Sequence, residues 1–296
     1  FPGRSEMFKG SIVAIVTPFK NGVFDEQAYG DLIEWHISQG THGIVPCGTT
    51  GEASTLDYEE HYRVIEVAVK VAGKRIPVIA GTGANSTDEA ITITKKAKEL
   101  GADGALLVTP YYNKPTQEGL YRHYKAIAAE VDIPMVLYNV PGRTAVNLMP
   151  STVARLTELK NVVSVKEATG DMKQASELIR LCGDRLTILS GDDFTTLPLL
   201  ALGGHGAISV TANIAPKDSA EMYNAWVAGD IAKARALHYK LEPLNYAMFI
   251  ETNPIPVKTS LALMGKIREE FKLPLCEMAA ANKEKLSAVL KKAGLL

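Results

Sequence analysis

The residue with the clearest chemical potential ends a short apolar run in the middle of the chain. Lys166 follows Val162–Val165 within the stretch N-V-V-S-V-K-E-A-T-G. A parallel sheet carries its chemistry at the carboxyl ends of its strands, and burial of a lysine there favours the neutral amine that attacks a carbonyl group. We therefore interpret Lys166 as a candidate Schiff-base nucleophile. The alternative is a strand-end lysine that reaches solvent.

A glycine-rich turn supplies a second candidate, C-G-T-T-G-E at 47–52. Gly48 and Gly51 would let the backbone turn tightly and present its N–H groups, and Thr49 and Thr50 add two hydroxyls. The start of a helix just beyond the turn favours an anion. The turn lacks the G-K-[ST] ending of a P-loop, so it suits a small carboxylate. A plain βα turn is the alternative.

Tyrosines and an arginine follow two further apolar runs. Tyr111 and Tyr112 lie in T-P-Y-Y-N-K-P, and Tyr138 and Arg143 lie in Y-N-V-P-G-R-T. A phenol beside a lysine can relay protons, and a guanidinium can bind a carboxylate through two hydrogen bonds. Interface packing for the tyrosine pair and a surface charge for the arginine are the alternatives. Together with the lysine and the threonines, these residues would form one site at the mouth of a barrel.

The last two predicted strands end in residues that complete the rim of this site. Gly191, Asp192 and Asp193 follow the seventh strand, and Ile208 lies in the eighth. The aspartate pair has no third carboxylate at a suitable spacing, so we expect one of the two to cap the next helix. The histidines form no H-E-x-x-H pattern, and we expect no metal site.

An alternation of apolar runs with helical stretches would position these residues. It repeats eight times in about 220 residues, which matches the ~250 residues typical of a (β/α)8 TIM barrel. A doubly wound sheet fits less well, because no G-x-G-x-x-G follows the first strand. The predicted strands are 11–17, 43–46, 77–80, 104–109, 134–139, 162–166, 186–190 and 207–210. The predicted helices are 25–39, 55–72, 87–100, 116–131, 150–159, 171–181, 194–202, 220–228, 231–249, 257–264 and 281–292.

The predicted elements divide the chain into three parts. Residues 7–219 form a (β/α)8 catalytic barrel, and 220–296 form a C-terminal helical region that packs on the barrel or on a neighbouring subunit. We exclude residues 1–6, which precede a plausible initiator at Met7, as a remnant of expression.

Composition limits the partners and the compartment of the chain. Its 296 residues include 32 basic and 33 acidic ones, and the net charge of -1 gives no basic excess for nucleic acid. No apolar run reaches the ~18 residues of a membrane span, and nothing resembles a signal peptide. Cys47, Cys182 and Cys276 are far apart, which favours a reducing cytoplasm over a disulfide framework.

Taken in order, the motifs resemble the class I pyruvate-dependent aldolases, the family that includes N-acetylneuraminate lyase. The resemblance extends from Met7 to Leu296. The matching motifs are G-T-T-G-E at 48–52, I-A-G-T-G-A-N at 79–85, T-P-Y-Y-N-K-P at 109–115, Y-N-V-P-G-R-T at 138–144, K-E-A-T-G at 166–170, L-S-G-D-D at 189–193, G-A-I-S-V at 206–210 and N-P-I-P-V-K at 253–258.

The resemblance implies a role in catalysis or in pyruvate binding for five of these residues. Lys166 would form the Schiff base with pyruvate, and Thr49 and Thr50 would hold the pyruvate carboxylate. Thr50 and Tyr138 would relay protons with Tyr112, which a neighbouring subunit would donate across a tight dimer interface. Members of the family are usually homotetramers, built as a dimer of tight dimers. No metal or organic cofactor is expected, because the lysine itself supplies the electron sink.

Arg143 narrows the substrate that the resemblance implies. Sialic acid lyases and sugar-acid aldolases of the family lack P-G-R-T, so Arg143 favours L-aspartate 4-semialdehyde, an aldehyde with a short carboxylate, as second substrate. Gly191 and Ile208 would contribute backbone contacts. The expected product is 4-hydroxy-tetrahydrodipicolinate, in diaminopimelate and lysine biosynthesis. A pyruvate-dependent aldolase acting on a sugar acid, and a non-catalytic barrel that binds small acids, remain the alternatives.

Many relatives of this kind are inhibited by lysine at a cleft in the tight-dimer interface. Ala53 and Tyr58 stand where Ser and His are commoner, so the resemblance leaves the sensitivity of this chain to lysine open. The residues that match the expected lysine site are His61, Asn85, Glu89 and Tyr111.

Overall fold

The computed structural model describes residues 3–296. Phe1 and Pro2, the first two of the six residues interpreted as a remnant of expression, lie outside the described range. The strands are β1 Gly10–Ala14, β2 Phe19–Lys20, β3 Val23–Phe24, β4 Gly43–Val45, β5 Ile79–Gly81, β6 Gly104–Val108, β7 Met135–Asn139, β8 Val162–Glu167, β9 Thr187–Ser190 and β10 Gly206–Ser209. The helices are α1 Glu26–Ser38, α2 Tyr58–Ala72, α3 Thr87–Glu99, α4 Gln117–Glu130, α5 Pro141–Thr144, α6 Pro150–Leu156, α7 Met172–Cys182, α8 Thr196–Ala201, α9 Pro216–Val227, α10 Ile231–Ala247, α11 Ile255–Leu263 and α12 Ala280–Lys292. Short 3-10 turns occur at Arg4–Glu6, Ala53–Thr55, Asp193–Thr195 and Thr211–Asn213.

The fold class is the predicted (β/α)8 TIM barrel, followed along the chain by a C-terminal helical region. The eight-stranded sheet contains every strand except β2 and β3, and helices separate its strands along the chain. Each predicted strand is present, with its ends displaced by a few residues. The antiparallel pair β2 and β3 was not predicted, because strands of two residues are too short to show a period.

Local sequence explains where the elements begin. All six residues of β8 are buried, as expected of a valine-rich strand covered on both faces of a parallel sheet. The hydroxyl of Ser86 accepts a hydrogen bond from the backbone N–H of Glu89 at 3.4 Å and so caps the start of α3. Asp171 caps α7 in the same way, through the N–H groups of Lys173 and Gln174.

One compact unit comprises residues 3–10 and 77–208 and contains the strands β5 to β9 and residues 206–208 of β10. Its core includes buried apolar side chains from β6 to β9 and from α3, α4, α6, α7 and α8. Strands β7 and β8 pair in parallel so that Tyr138 lies opposite Lys166. Arg4 is one of the six residues interpreted as a remnant of expression. It donates to the carbonyl oxygens of Thr157 and Leu159 at 2.9 and 3.0 Å, so it contacts the segment between α6 and β8.

The other compact unit comprises residues 11–76 and 209–296. It contains the parallel pair of β1 and β4, the β2–β3 hairpin, α1, α2 and the C-terminal helices α9 to α12. Helix α9 begins at Pro216, four residues before the predicted start, because proline is well suited to the first helical position. Asn213 ties this region to the first strand, donating to Ala14 O at 2.8 Å and accepting from Val16 N at 3.2 Å.

Candidate active site

Lys166 and Tyr138 lie side by side at the carboxyl ends of β8 and β7. Their Cα atoms are partners in the strand register, and Lys166 Nζ lies 4.1 Å from the centroid of the Tyr138 ring. The two residues are only 5% and 6% exposed, so Lys166 does not reach solvent and that alternative is excluded. A primary amine in a buried pocket beside a phenol can attack a carbonyl group and exchange protons with its neighbour.

Gly191 packs against the aliphatic stem of this lysine. A Cβ atom at position 191 would lie 2.9 Å from Lys166 Cε and 2.6 Å from Ala168 Cβ, so only glycine fits. The backbone N–H of Gly191 donates to the carbonyl oxygen of Glu167 at 2.8 Å. Ile208, at the end of β10, is 1% exposed. The predicted contacts of these two residues with substrate stay predictions.

Asp192 has the capping role that was predicted for the aspartate pair. Its carboxylate accepts from the backbone N–H of Phe194 at 3.4 Å, at the start of the 3-10 turn that precedes α8. Burial and then the charge of Asp193 raise the pKa of Asp192. Among residues 3–296, no cluster of three or more His, Cys, Asp or Glu side chains is arranged to hold a metal ion.

The glycine-rich turn at 47–52, which contains Thr49 and Thr50 and is called the threonine turn below, differs from expectation in its backbone conformation. The left-handed residues are Cys47 and Glu52, with φ of 55° and 56°, whereas the glycines were expected to supply this freedom. Gly51 lies in a tight space, since a Cβ there would lie 3.1 Å from Cys47 N. Thr50 is 2% exposed, and its hydroxyl accepts from Asn253 Nδ2 at 3.0 Å. Thr49 is half-buried.

Glu52 forms a buried ion pair that the sequence did not reveal. Its Oε1 lies 2.5 Å from Lys258 Nζ, and both side chains are fully buried. Its Oε2 accepts from the backbone N–H of Lys272 at 3.0 Å, and Lys258 Nζ lies 4.3 Å from the Phe19 ring centroid. Burial lowers the pKa of Lys258 below its usual range, and the charge of Glu52 offsets part of this effect. Glu52 therefore neutralises a buried cation.

Lys258 could have been found from its surroundings in the sequence. It is the one charged residue of α11, I-P-V-K-T-S-L-A-L, which is otherwise apolar or small and polar. A lysine in such a helix is buried only when it is paired. Lys258 ends the N-P-I-P-V-K motif, and nothing in that motif indicates its partner.

Tyr112 and Arg143 are both open to solvent. Tyr112 is 91% exposed in the loop after β6, with a left-handed φ of 72° that is unusual for a tyrosine. Arg143 is exposed on the short helix α5, where its backbone N–H donates to Val140 O at 2.9 Å. Each follows the predicted strand, and their roles toward substrate stay predictions.

Three residues of the predicted lysine site come together in the first unit. Asn85 Nδ2 donates to Tyr111 O at 3.2 Å, and Asn113 Nδ2 donates to Asn85 O at 2.8 Å. Burial and then the charge of Glu89 raise the pKa of Tyr111. The fourth residue, His61, is buried in α2 of the other unit.

The cysteine beside the threonine turn is unreactive by its surroundings. Cys47 is 2% exposed, and its Sγ lies 3.6 Å from the carbonyl oxygen of His61. Burial and then the charge of Glu60 raise the pKa of the Cys47 thiol, which keeps it protonated at neutral pH. In the same region Tyr58 stacks on Tyr62, with 6.0 Å between the ring centroids.

Across residues 3–296, no helix combines the length and hydropathy needed to span a membrane.

A parallel-strand barrel with a buried lysine at a strand end, packed against a tyrosine, is the arrangement of a class I aldolase site. Comparison with known proteins narrows this class. The model of the dihydrodipicolinate synthetase family matches residues 7–293, and the chain belongs to this family.

Individual relatives match over nearly the whole length. The 4-hydroxy-tetrahydrodipicolinate synthase of Thermodesulfovibrio yellowstonii is 77% identical over 290 residues, which are 98% of this chain and 100% of the relative. The solved dihydrodipicolinate synthase of Acinetobacter baumannii, complexed with pyruvate, is 55% identical with a TM-score of 0.95, over 97% of this chain and 99% of that one. The solved dihydrodipicolinate synthase of Cyanidioschyzon merolae, with lysine bound, is 41% identical with a TM-score of 0.94. The match covers 98% of this chain and 99% of that one.

Proposed function

We propose that this chain is a lyase that condenses pyruvate with L-aspartate 4-semialdehyde through a Schiff base on Lys166. The product is 4-hydroxy-tetrahydrodipicolinate, a precursor of diaminopimelate and lysine. The family and the names of its full-length relatives support the reaction. The observation that carries the assignment to this chain's own residues is the buried amine of Lys166, 4.1 Å from the Tyr138 ring centroid.

The reaction starts on the keto carbon of pyruvate, which a family member binds in its solved structure. Lys166 Nζ attacks this carbon, and loss of the carbonyl oxygen as water gives the imine. Loss of a methyl proton then gives the enamine, whose carbon bonds to the aldehyde carbon of the second substrate. The amino group of that substrate displaces Lys166 by transimination, which closes the ring and regenerates the free amine.

The remaining site residues serve these steps. Thr50 and Tyr138 relay protons together with a Tyr112 donated by a second copy of the chain, and the 91% exposure of Tyr112 is compatible with such a contact. Thr49 and Thr50 hold the pyruvate carboxylate, and the hydrogen bond from Asn253 fixes the rotamer of Thr50. The backbones of Gly191 and Ile208 complete the pocket.

Arg143 binds the carboxylate of the semialdehyde. Its guanidinium lies on the exposed helix α5, where a substrate arriving from solution can meet it. A guanidinium binds a carboxylate through two parallel hydrogen bonds, which also orients the aldehyde.

Regulation and assembly follow the family expectation. We infer that lysine, which is bound in the solved relative from Cyanidioschyzon merolae, inhibits this enzyme at His61, Asn85, Glu89 and Tyr111, with a strength altered by Ala53 and Tyr58. The contacts among Asn85, Glu89 and Tyr111 support a preformed part of that site. A cytoplasmic homotetramer, built as a dimer of tight dimers, is the proposed working form.

The assay that tests the function compares condensation of pyruvate and aspartate semialdehyde with cleavage of sialic acid. We expect condensation only, and sialic acid cleavage as the main activity would favour the sugar-acid alternative.

Arg143→Ala should raise the KM for the semialdehyde by about 10- to 100-fold, because a charge-assisted hydrogen bond contributes about 1.5–3 kcal/mol. The KM for pyruvate should not change. Arg180→Ala, at another exposed arginine, is the control, and unchanged kinetics in Arg143→Ala would contradict the role of this residue.

A further inference from the structure

The residues that directly follow Tyr138 and Lys166 also form a pair. Asn139 and Glu167 end β7 and β8 and are partners in the strand register, one step beyond Tyr138 and Lys166. Successive side chains of a strand point to opposite faces, so the second pair lies on the other face of the sheet from the first. Asn139 is 0% exposed and Glu167 is 5% exposed. A buried carboxylate therefore lies directly behind the candidate nucleophile.

A closed network of hydrogen bonds holds this carboxylate. Asn139 Nδ2 lies 3.2 Å from Glu167 Oε2, Gln174 Nε2 lies 3.3 Å from the same oxygen, and the backbone N–H of Thr169 donates to Oε1 at 2.9 Å. Asn147 closes the network, because its Oδ1 accepts from Asn139 at 2.8 Å and from Gln174 at 3.0 Å. Its Nδ2 in turn donates to Gln174 Oε1 at 2.8 Å.

The network joins β7, the turn after β8 and the start of α7, three segments around Lys166. Asn139 ends the tyrosine strand, Thr169 lies in the turn after the lysine strand, and Gln174 lies in the first turn of α7. The backbone oxygen of Glu167 accepts from Gly191, whose Cα packs on the lysine stem. A satisfied buried network of this kind has one arrangement of low energy, since any shift leaves a donor or an acceptor unpaired.

We propose that Glu167 is a positioning residue for the reaction. Its carboxylate binds donors from β7, from the turn after β8 and from α7, and so keeps Lys166 Nζ against the Tyr138 ring. This role rests on the proposed Schiff base at Lys166. Glu167 does not touch substrate. It acts through the backbone of the residue that does, and through the strand that carries Tyr138.

The test replaces the carboxylate without changing its size. Glu167→Gln turns one acceptor oxygen into a donor that faces the amide groups of Asn139 and Gln174. We expect kcat to fall about 100-fold, the usual effect of misplacing a reacting group by about 1 Å, with the KM for pyruvate within about threefold of wild type. Trapping of the pyruvate adduct with borohydride should slow in parallel.

An exchange of the two side chains provides the rescue. Asn139→Asp combined with Glu167→Gln moves the carboxylate to β7 and the amide to β8, so a donor again faces an acceptor between the two strands. The new carboxylate also meets Asn147 Oδ1, and the amide groups of Asn147 and Gln174 turn over so that each of these contacts again joins a donor to an acceptor. We expect this double variant to recover at least tenfold in kcat over Glu167→Gln. Gln174→Ala, which removes one donor from the half-buried start of α7, is the milder variant if Glu167→Gln does not fold, and its kcat should fall severalfold.

Thr187→Val is the control for a purely structural effect. It removes a buried hydrogen bond from Thr187 Oγ1 to Met7 O, 2.8 Å long, in the strand next to β8. It should lower stability and leave kcat unchanged. A Glu167→Gln variant that loses stability and keeps its kcat and trapping rate, or a double variant with no recovery, would refute the positioning role. Absence of any adduct in the wild-type protein would instead refute the Schiff base at Lys166.

Discussion

Replacement of Lys258 by methionine would leave a carboxylate buried without its cation. The side chains of Glu52 and Lys258 are fully buried, with 2.5 Å between Oε1 and Nζ. After the substitution, the backbone N–H of Lys272, 3.0 Å from Oε2, remains as a donor to the carboxylate. One neutral donor does not compensate a buried charge, so we expect the carboxyl group to bind a proton as the variant folds.

The free energy of that protonation sets the expected loss of stability. An exposed glutamate has a pKa of about 4.3, so adding a proton at pH 7 costs about 1.4 kcal/mol for each of about 2.7 pH units, or about 3.7 kcal/mol. This agrees with the roughly 3–5 kcal/mol lost when a buried ion pair loses one partner. At pH 5 the same protonation costs only about 1 kcal/mol. A double variant, Glu52→Gln with Lys258→Met, carries no buried charge and should recover most of the loss.

Urea unfolding followed by circular dichroism at pH 7 and pH 5 measures these differences, at one protein concentration because association also stabilises. Lys240→Met breaks an ion pair between Lys240 Nζ and Asp218 in which the lysine is 59% exposed, and it should cost less than about 1 kcal/mol. Three results would refute the reasoning: a loss below about 1 kcal/mol for Lys258→Met at pH 7, an equal loss at pH 5, or a double variant as unstable as the single one.

Two further predictions concern the lysine pocket and a buried histidine. Gly191→Ala should lower kcat about 100-fold, because its Cβ would lie 2.9 Å from Lys166 Cε, whereas Gly30→Ala, whose Cβ meets its nearest neighbour at 3.7 Å, should have normal kinetics. Burial, and then the charge of Lys266, lower the pKa of His36 to about 3, so the unfolded chain binds a proton that the folded one does not. Stability should therefore fall by about 1.4 kcal/mol per pH unit below about pH 6.5 from this group alone, and urea unfolding of His36→Gln should show a shallower decline. Equal kinetics in the two alanine variants would contradict the first prediction, and equal pH slopes would contradict the second.

The fold could be predicted because its signals are local. Each strand of the parallel sheet is a buried apolar run, and caps such as Ser86 and Asp171 mark helix starts by chemistry that acts within three residues. The β2–β3 hairpin was missed because two residues carry no period. The start of α9 was placed four residues late, since Pro216 was not recognised as its first residue.

The site could be predicted only in part, because much of it depends on tertiary pairing. Lys166 and Tyr138 each lie at the end of a predicted strand, so their common edge of the sheet could be predicted, and the register brings them together. The partners Glu52 and Lys258 are 206 positions apart, and no periodicity connects them. The left-handed backbone at Cys47 and Glu52 also has no signal, since neither residue type is typical of that conformation.

The network behind the nucleophile occupies an intermediate place. Glu167 and Asn139 each follow a recognised site residue, and alternation along a strand predicts that they face away from the pocket. Their pairing depends on the register of β7 and β8, which a shift between Met135 and Val136 sets. Only the structure therefore reveals that an amide and a carboxylate meet there.

The central claim is that the amine of Lys166 forms a covalent imine with pyruvate, and reductive trapping tests it most directly. The protein is incubated with pyruvate and borohydride, digested, and examined by mass spectrometry of the peptide that contains Lys166. We expect the mass of one reduced pyruvate adduct on Lys166, and no adduct in Lys166→Met. An unmodified Lys166 in protein that condenses pyruvate with the semialdehyde, or an adduct at another lysine, would contradict the account.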